Sequence, residues 1–274
     1  MRTESDYERA DRENWNRLVP VHARSAFYDV AGFKAGRCTL LPIEREELGD
    51  VAGKSLLHLQ CHFGMDTLSW ARLGARVTGV DYAEEAIALA RELSRETGIE
   101  AEFLCASIYE LPERLRGQFD IVFTSYGVLC WLPDLPAWGS AIASALKPGG
   151  TFYIVEGHPF ANVFYNEKDA TGLQIAYPYF HRATPDGFPC DGSYASDPGG
   201  ELHYTAYEWS HSMGDIVNAL IDAGLHLQFL HEFAYSFYQS HPFMVQGEDG
   251  WWRLPEHQES VPLVFSLKAT KPVP

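Results

Sequence analysis

From Ser55 onward the chain alternates short apolar runs with amphipathic stretches, the pattern of parallel strands buried on both faces and separated by helices. SLLHL (55–59), ARVTGVD (75–81), AEFLC (101–105), FDIVFT (119–124) and TFYIVE (151–156) predict five strands. Helices are predicted between them at 66–73, over AEEAIALARELSRETG and at 138–146, the last followed by a tight LKPGG turn. In the second of these, Ala86, Ile87, Ala90 and Leu93 fall near helical spacing and Gly98 is the stop. The alternation breaks off at Gly157 and resumes near Met213, with a helix predicted over 213–225 and a strand over 226–235. A closing strand over 261–270 follows a Trp251-Trp252 loop. Right-handed crossovers place the ligand loops of such a sheet at the carboxyl ends of its strands.

The ends and the interruption read differently. Residues 4–19 carry charges with Tyr7, Trp15, Leu18 and Val19 between them, which predicts a surface helix ending before Pro20. The stretch that follows reads as irregular, with Gly32 and Gly36 as punctuation, and a short helix is predicted over Pro42 to Leu48. Between Gly157 and Met213 stand eleven aromatic residues, broken by DG, DG and DPGG turns. Aromatic density of that kind predicts an ordered lid rather than a disordered connection. The expected organisation is an N-terminal helical cap (1–50), a core (51–156 and 212–274) and a lid insertion (157–211).

Composition narrows the function classes. With 46% hydrophobic and 14% aromatic residues against 21% charged, the 274-residue chain has the apolar mass of a folded domain. Its net charge of -16, from 21 basic and 37 acidic residues, and the lack of a Lys/Arg run predict no nucleic-acid partner. The charged start MRTESDYERADRENW lacks an apolar h-region, and no stretch reaches the roughly 20 apolar residues of a membrane helix. A cytoplasmic protein without a membrane partner is therefore expected. Five cysteines unpaired by any CxxC read as reduced thiols, and no HExxH, EF-hand or Cys/His spacing predicts a metal. The pattern fixes no oligomeric state.

Two features could carry chemistry. The strand-to-helix turn LHLQCHFGMDT has Gly64 as its only glycine and so fails the GxGxxG pattern of a pyrophosphate loop; by itself it reads as a plain connection. Seventeen residues on, at the carboxyl end of the second strand, stands Asp81, where an open α/β sheet places the acid that grips a ribose diol. Asp81-Tyr-Ala-Glu84 equally fits a capping box on the next helix.

Taken together, SLLHLQCHFGMDTLSWARLGARVTGVDYAEEAI, FDIVFTSYGVLCWLPD and ALKPGGTFYIVE resemble the class I S-adenosylmethionine-dependent methyltransferases, in detail from Gly53 to Glu156. The resemblance implies an α/β, Rossmann-like seven-stranded sheet in the order 3-2-1-4-5-7-6, helices on both faces, only the last strand antiparallel, and an aromatic-rich lid after the fifth strand. It also implies S-adenosyl-L-methionine as cofactor. By position, Gln60, Cys61, His62 and Gly64 match the loop facing its methionine portion. Asp81 matches the ribose acid, and Tyr82 lies beside the adenine. Ala106, Ser107 and Ile108 match the adenine-contacting segment, and Ser125, Tyr126 and Gly127 the loop beneath the sulfonium. The first motif departs from the family by lacking its opening acid and further glycines, and Ser107 stands where an Asp is usual. Either the cap supplies replacement contacts, with Tyr28, His22 and Trp15 as candidates, or cofactor binding has been lost.

Methyl transfer is an in-line displacement that asks mainly for positioning, with a general base only for a protonated acceptor. Glu156 and His158 after the fifth strand, with Tyr126 opposite, are the expected catalytic residues, and His203 or His211 could join them from the lid. The enclosed aromatics predict a small-molecule acceptor, although aromatics of an insertion also serve to staple it to the sheet. Two other readings stay open: an NAD(P)-dependent oxidoreductase, and a methyltransferase-like protein that binds without catalysis.

Overall fold

The computed structural model describes residues 5–195, 202–256 and 259–274. Its centre is a seven-stranded sheet of β1 (Ser55–Leu59), β2 (Arg76–Asp81), β3 (Glu102–Cys105), β4 (Phe119–Ser125), β5 (Leu146–Gly157), β8 (His226–Phe233) and β11 (Val264–Thr270). The order is β3-β2-β1-β4-β5-β11-β8, with β11 antiparallel to both its neighbours. This is the arrangement that the resemblance implied.

The strands are apolar on both faces because both faces are covered. Leu57, Val122, Phe152 and Phe265 pack under α6 (Leu135–Ala145) and α7 (Met213–Asp222), beside Trp138 and Leu220. Leu56, Ile121, Phe123 and Tyr153, one residue out of phase, pack with Ile43 of α3 (Pro42–Leu48) and Trp70 of α4 (Met65–Arg72). The fifth helix, α5 (Glu84–Thr97), buries the four residues that its spacing singles out, Ala86, Ile87, Ala90 and Leu93. Boundaries differ in places from the pattern. α6 begins at Leu135 because Asp134 caps it and Pro136 sits in its first turn. β5 runs through the expected LKPGG turn, since Leu146 already pairs with Phe119. α7 ends at Asp222, β8 at Phe233, and β11 begins at Val264.

The N-terminal segment corrects the sequence reading more strongly. Helix α1 (Asp6–Arg24) opens with a Ser5/Glu8 capping box and continues through Pro20 instead of stopping before it. Proline removes one helical hydrogen bond. Contacts on both sides outweigh that loss: Leu18 and Val19 are buried, and His22 is fully buried two residues beyond Pro20. The stretch expected to be irregular also holds a helix, α2 (Val30–Lys34), whose Phe33 packs with Cys61, Phe63 and Leu68. Glu4, where the first helix was expected to open, and the DPGG turn lie outside the described residues.

The 157–211 insertion forms a hairpin, β6 (Asp186–Asp191) with β7 (His203–Glu208), and β7 lies along α1. Its start, Ala161 to Phe164, packs with Met244, Leu254 and Leu263 from the excursion between β8 and β11. That excursion carries two short strands, β9 (Val245–Gln246) and β10 (Trp252–Arg253), where sequence gave only a loop. Among the described residues, no helix is long and apolar enough to cross a membrane.

Candidate active site

At the carboxyl end of β1 the chain turns into α4 through Gln60, His62 and Gly64, all at positive φ (55°, 49° and 77°). Only Gly64 adopts this without side-chain strain. It also could not carry a side chain, since a Cβ there would lie 2.6 Å from the Phe103 ring. The other two are held by tertiary bonds: Gln60 Nε2 donates to the Val128 carbonyl (2.9 Å), and the His62 amide to Asp81 Oδ2 (2.8 Å). The turn thus forms with a single glycine because neighbouring loops hold the strained residues in place. Cys61 is buried beneath it.

Asp81 ends β2 beside this turn. Its Oδ1 accepts the Ala83 amide at 2.9 Å, and the N-cap of α5 is Ala83, so the capping-box reading fails and the carboxylate braces the turn instead. Burial raises its pKa to about 6 against the pull of these amides. Each carboxylate oxygen retains a second lone pair. Gln60 Oε1 and the Tyr82 hydroxyl are buried with no hydrogen-bond partner among the described residues, an unusual state for such groups. Ala106 donates its amide to the Asp81 carbonyl, Ser107 Oγ accepts the Tyr109 amide, and Ile108 is buried in the main core.

After β4, Tyr126 (φ 43°) and Gly127 (φ 74°) make a second strained turn. Glu156, at the tip of β5, closes it. Its Oε1 accepts the amides of Gly127 (2.5 Å) and Gly157 (2.7 Å), and its Oε2 those of Val128 (2.7 Å) and Leu129 (3.4 Å). The expected catalytic residues therefore point three ways. Glu156 faces backbone amides, and Tyr126 donates to Glu44 Oε2 (2.8 Å) with its ring against Phe237. His158 bonds Glu232 Oε1 through Nε2 (2.8 Å) and accepts the Phe160 amide at Nδ1. It lines an open cleft of about 580 Å³ with Phe160, Tyr179 and Glu232, while Ser125 reaches Asp66 beneath the sheet tips. Of the insertion's histidines, His203 is exposed and pairs with Asp191, and His211 donates from Nε2 to the Leu132 carbonyl at 2.7 Å.

The N-terminal candidates do meet the turn. Trp15, His22 and Tyr28 gather round His62, with His22 Nδ1 3.0 Å from His62 Nε2 and the Tyr28 ring against Phe63. Burial lowers the His22 pKa to about 4 and holds His62 well below its ordinary value, so both rings are neutral at pH 7. The insertion joins the same group, through Ser193 Oγ to His22 Nε2 (2.8 Å) and Tyr194 to Tyr28.

Sequence reasoning missed a further group where these parts converge. The Tyr207 amide donates to Asp11 Oδ1 (2.9 Å), and the Trp209 amide to the Cys130 carbonyl (2.8 Å), which fixes Glu208 between α1 and the loop after β4. Trp15 meets Trp131 edge-on at 5.4 Å. No local pattern marks either residue: Asp11 sits among other charges, and Glu208 stands alone between Tyr207 and Trp209.

Residues 56–150 match the family model described as "Methyltransferase domain". A curated relative, the ubiquinone biosynthesis O-methyltransferase of Xanthomonas euvesicatoria pv. vesicatoria, is 34% identical over 131 residues, covering 47% of this chain and 54% of the relative. The chain thus spans about half the length of the curated relatives it matches. Among solved structures, a geranyl diphosphate C-methyltransferase from Streptomyces coelicolor A3(2) superposes with a TM-score of 0.60 at 13% identity, over 99% of this chain and 100% of the other. An S-adenosylmethionine dependent methyltransferase from Mesorhizobium loti does so with a TM-score of 0.58 at 22% identity, over 87% and 100%.

Proposed function

We propose that this chain, whose residues 56–150 match a methyltransferase-domain model, is a class I S-adenosylmethionine-dependent methyltransferase that transfers a methyl group from S-adenosyl-L-methionine to a small-molecule acceptor. The observation that carries the reading is the pairing, at the β1–β2 tips, of the Asp81 carboxylate with two buried unpartnered groups, Gln60 Oε1 and the Tyr82 hydroxyl. This donor set fits the cofactor. Asp81 has lone pairs left for both ribose hydroxyls, Gln60 Oε1 can accept from the methionine ammonium, and Tyr82 lies on the adenine side with Ala106, Ser107 and Ile108. Trp15, His22 and Tyr28 close over the turn and exclude water from it.

When bound, the cofactor supplies a methyl carbon already activated by the sulfonium. The chain's part is to place the acceptor in line with it, which can supply roughly 7–11 kcal/mol of the barrier reduction. Glu156 serves that placement by fixing the 127–129 amides. In this reading the 157–211 insertion acts as the lid and residues 1–50 as the cap over a small acceptor; the net charge of -16 disfavours a nucleic-acid partner, and a cytoplasmic location is part of the proposal.

Isothermal titration with S-adenosylhomocysteine tests the reading. One site per chain is expected, and Asp81→Asn weakens it about tenfold or more through loss of charge-assisted bonds, with circular dichroism confirming the fold. Absence of binding by the wild-type chain refutes it.

A further inference from the structure

Resting on the reading above, we propose that Glu208 and Asp11 form the acceptor subsite, selecting small cationic acceptors, such as aromatic amines carrying an ammonium group, and rejecting anionic ones. The two carboxylates come from distant parts of the chain, the first helix and β7, and are brought together by built contacts. Backbone bonds on either side of Glu208, from Tyr207 to Asp11 and from Trp209 to Cys130, hold it where lid, cap and the loop after β4 meet.

Neither acid is used up by the fold. Asp11 is 2% exposed, yet its Oδ2 has no hydrogen-bond partner among the described residues. The half-buried Glu208 carboxylate likewise has no hydrogen bond or ion pair among them. For Asp11 this is costly in an unliganded fold, because nothing replaces the water that Oδ2 gave up. A bound cation would replace it.

The surroundings connect this subsite to the cofactor side. Asp11 and Cys130 lie near Tyr82, the neighbour of Asp81, and Glu208 lies near Asp11, Cys130 and Tyr238. Burial pushes both carboxyls up to about 7, with Asp186 adding to the effect on Glu208 and Glu208 and Glu8 to that on Asp11. Near neutral pH the pair can therefore ionise when a positive charge arrives. Trp15 and Trp131 stand beside the same loop, and aromatic faces favour cations over anions.

The test uses two phenols of like size and opposite charge, tyramine and 4-hydroxyphenylacetate, titrated into the full chain saturated with S-adenosylhomocysteine. Tyramine is expected to bind at least tenfold more tightly. Glu208→Gln should weaken tyramine roughly tenfold to hundredfold, as expected for loss of one charge-assisted contact, and leave S-adenosylhomocysteine affinity within about twofold. Asp11→Asn keeps the acceptor for the Tyr207 amide and serves as the second variant, with the same expected direction. Equal affinity for the two phenols, tighter binding of the anion, no tyramine binding, or unchanged tyramine affinity in both variants overturns the inference. Failure of S-adenosylhomocysteine to bind the wild-type chain instead overturns the methyltransferase reading, so the two failures are distinct.

Discussion

Replacing Glu156 by Gln separates an anchoring carboxylate from a catalytic base. In the wild-type chain its two oxygens accept four backbone amides, three from the loop after β4 and one from Gly157. A glutamine offers one oxygen and turns an amino group toward the other pair, so two bonds are lost and two donors face a donor. Charge-assisted bonds contribute roughly 1.5–3 kcal/mol each. Part of the loss is offset because burial already disfavours the carboxylate, raising its pKa. The net expectation is a destabilisation of roughly 2–4 kcal/mol, a fall in Tm of roughly 5–15 °C. Because Gln60 leans on the Val128 carbonyl in that loop, S-adenosylhomocysteine affinity should fall in parallel. Differential scanning calorimetry and titration calorimetry on the same preparation measure both. A variant with wild-type Tm and cofactor affinity but no turnover would sink the anchoring role and return Glu156 to the part of base.

Other consequences are checked more simply. Gly64→Ala should cost roughly 2–4 kcal/mol in a urea melt, from strain at positive φ and a Cβ driven against Phe103; a shorter residue at 103 should recover part of it, and a neutral effect refutes the packing. Burial holds the fully buried Glu44 at a pKa of about 8, above its unfolded value of 4.5, so the native state binds the extra proton and stability is lost as pH rises between these values. Between pH 6.5 and 8 this one group should cost about 2 kcal/mol, a slope that Glu44→Gln removes; parallel profiles for the two proteins contradict it. His22 works in the opposite sense, its folded pKa of about 4 lying below the unfolded 6.5, so its contribution is present above pH 6.5 and lost on acidification toward 4. Trp15 fluorescence should shift to the red over that window, and a flat response would exclude protonation of His22 as the trigger.

The sheet was legible because the β-strands obey local rules. Leu56 and Leu57 lie on opposite faces, both covered, so β1 reads as a continuous apolar run, and Asp81 at the end of β2 is visible as a break in such a run. What depends on distant partners was not legible. The helix through Pro20 is sustained by Val19 and His22 against other elements, and the left-handed Gln60 and His62 are held by Val128 and Asp81. Strand-tip position singled out Glu156, His158 and Tyr126, but side-chain direction is set by the Gly127 amide, Glu232 and Glu44, and no motif shows these pairings. Asp11 and Glu208 are far apart along the chain, the neighbouring Tyr207 standing 196 residues from Asp11, and no window of sequence holds both.

The N-terminal helix and the β6–β7 hairpin are fastened to each other as well as to the sheet. Asn14 donates to the Thr205 carbonyl, the Tyr7 ring packs tilted against Tyr207, and His22 reaches Ser193. On the proposed reading of cap and lid, these contacts would oblige the two to open together. Cofactor product and methylated product would then depart during the same opening, and the traffic of both ligands would be timed by a single hinge event instead of two independent ones.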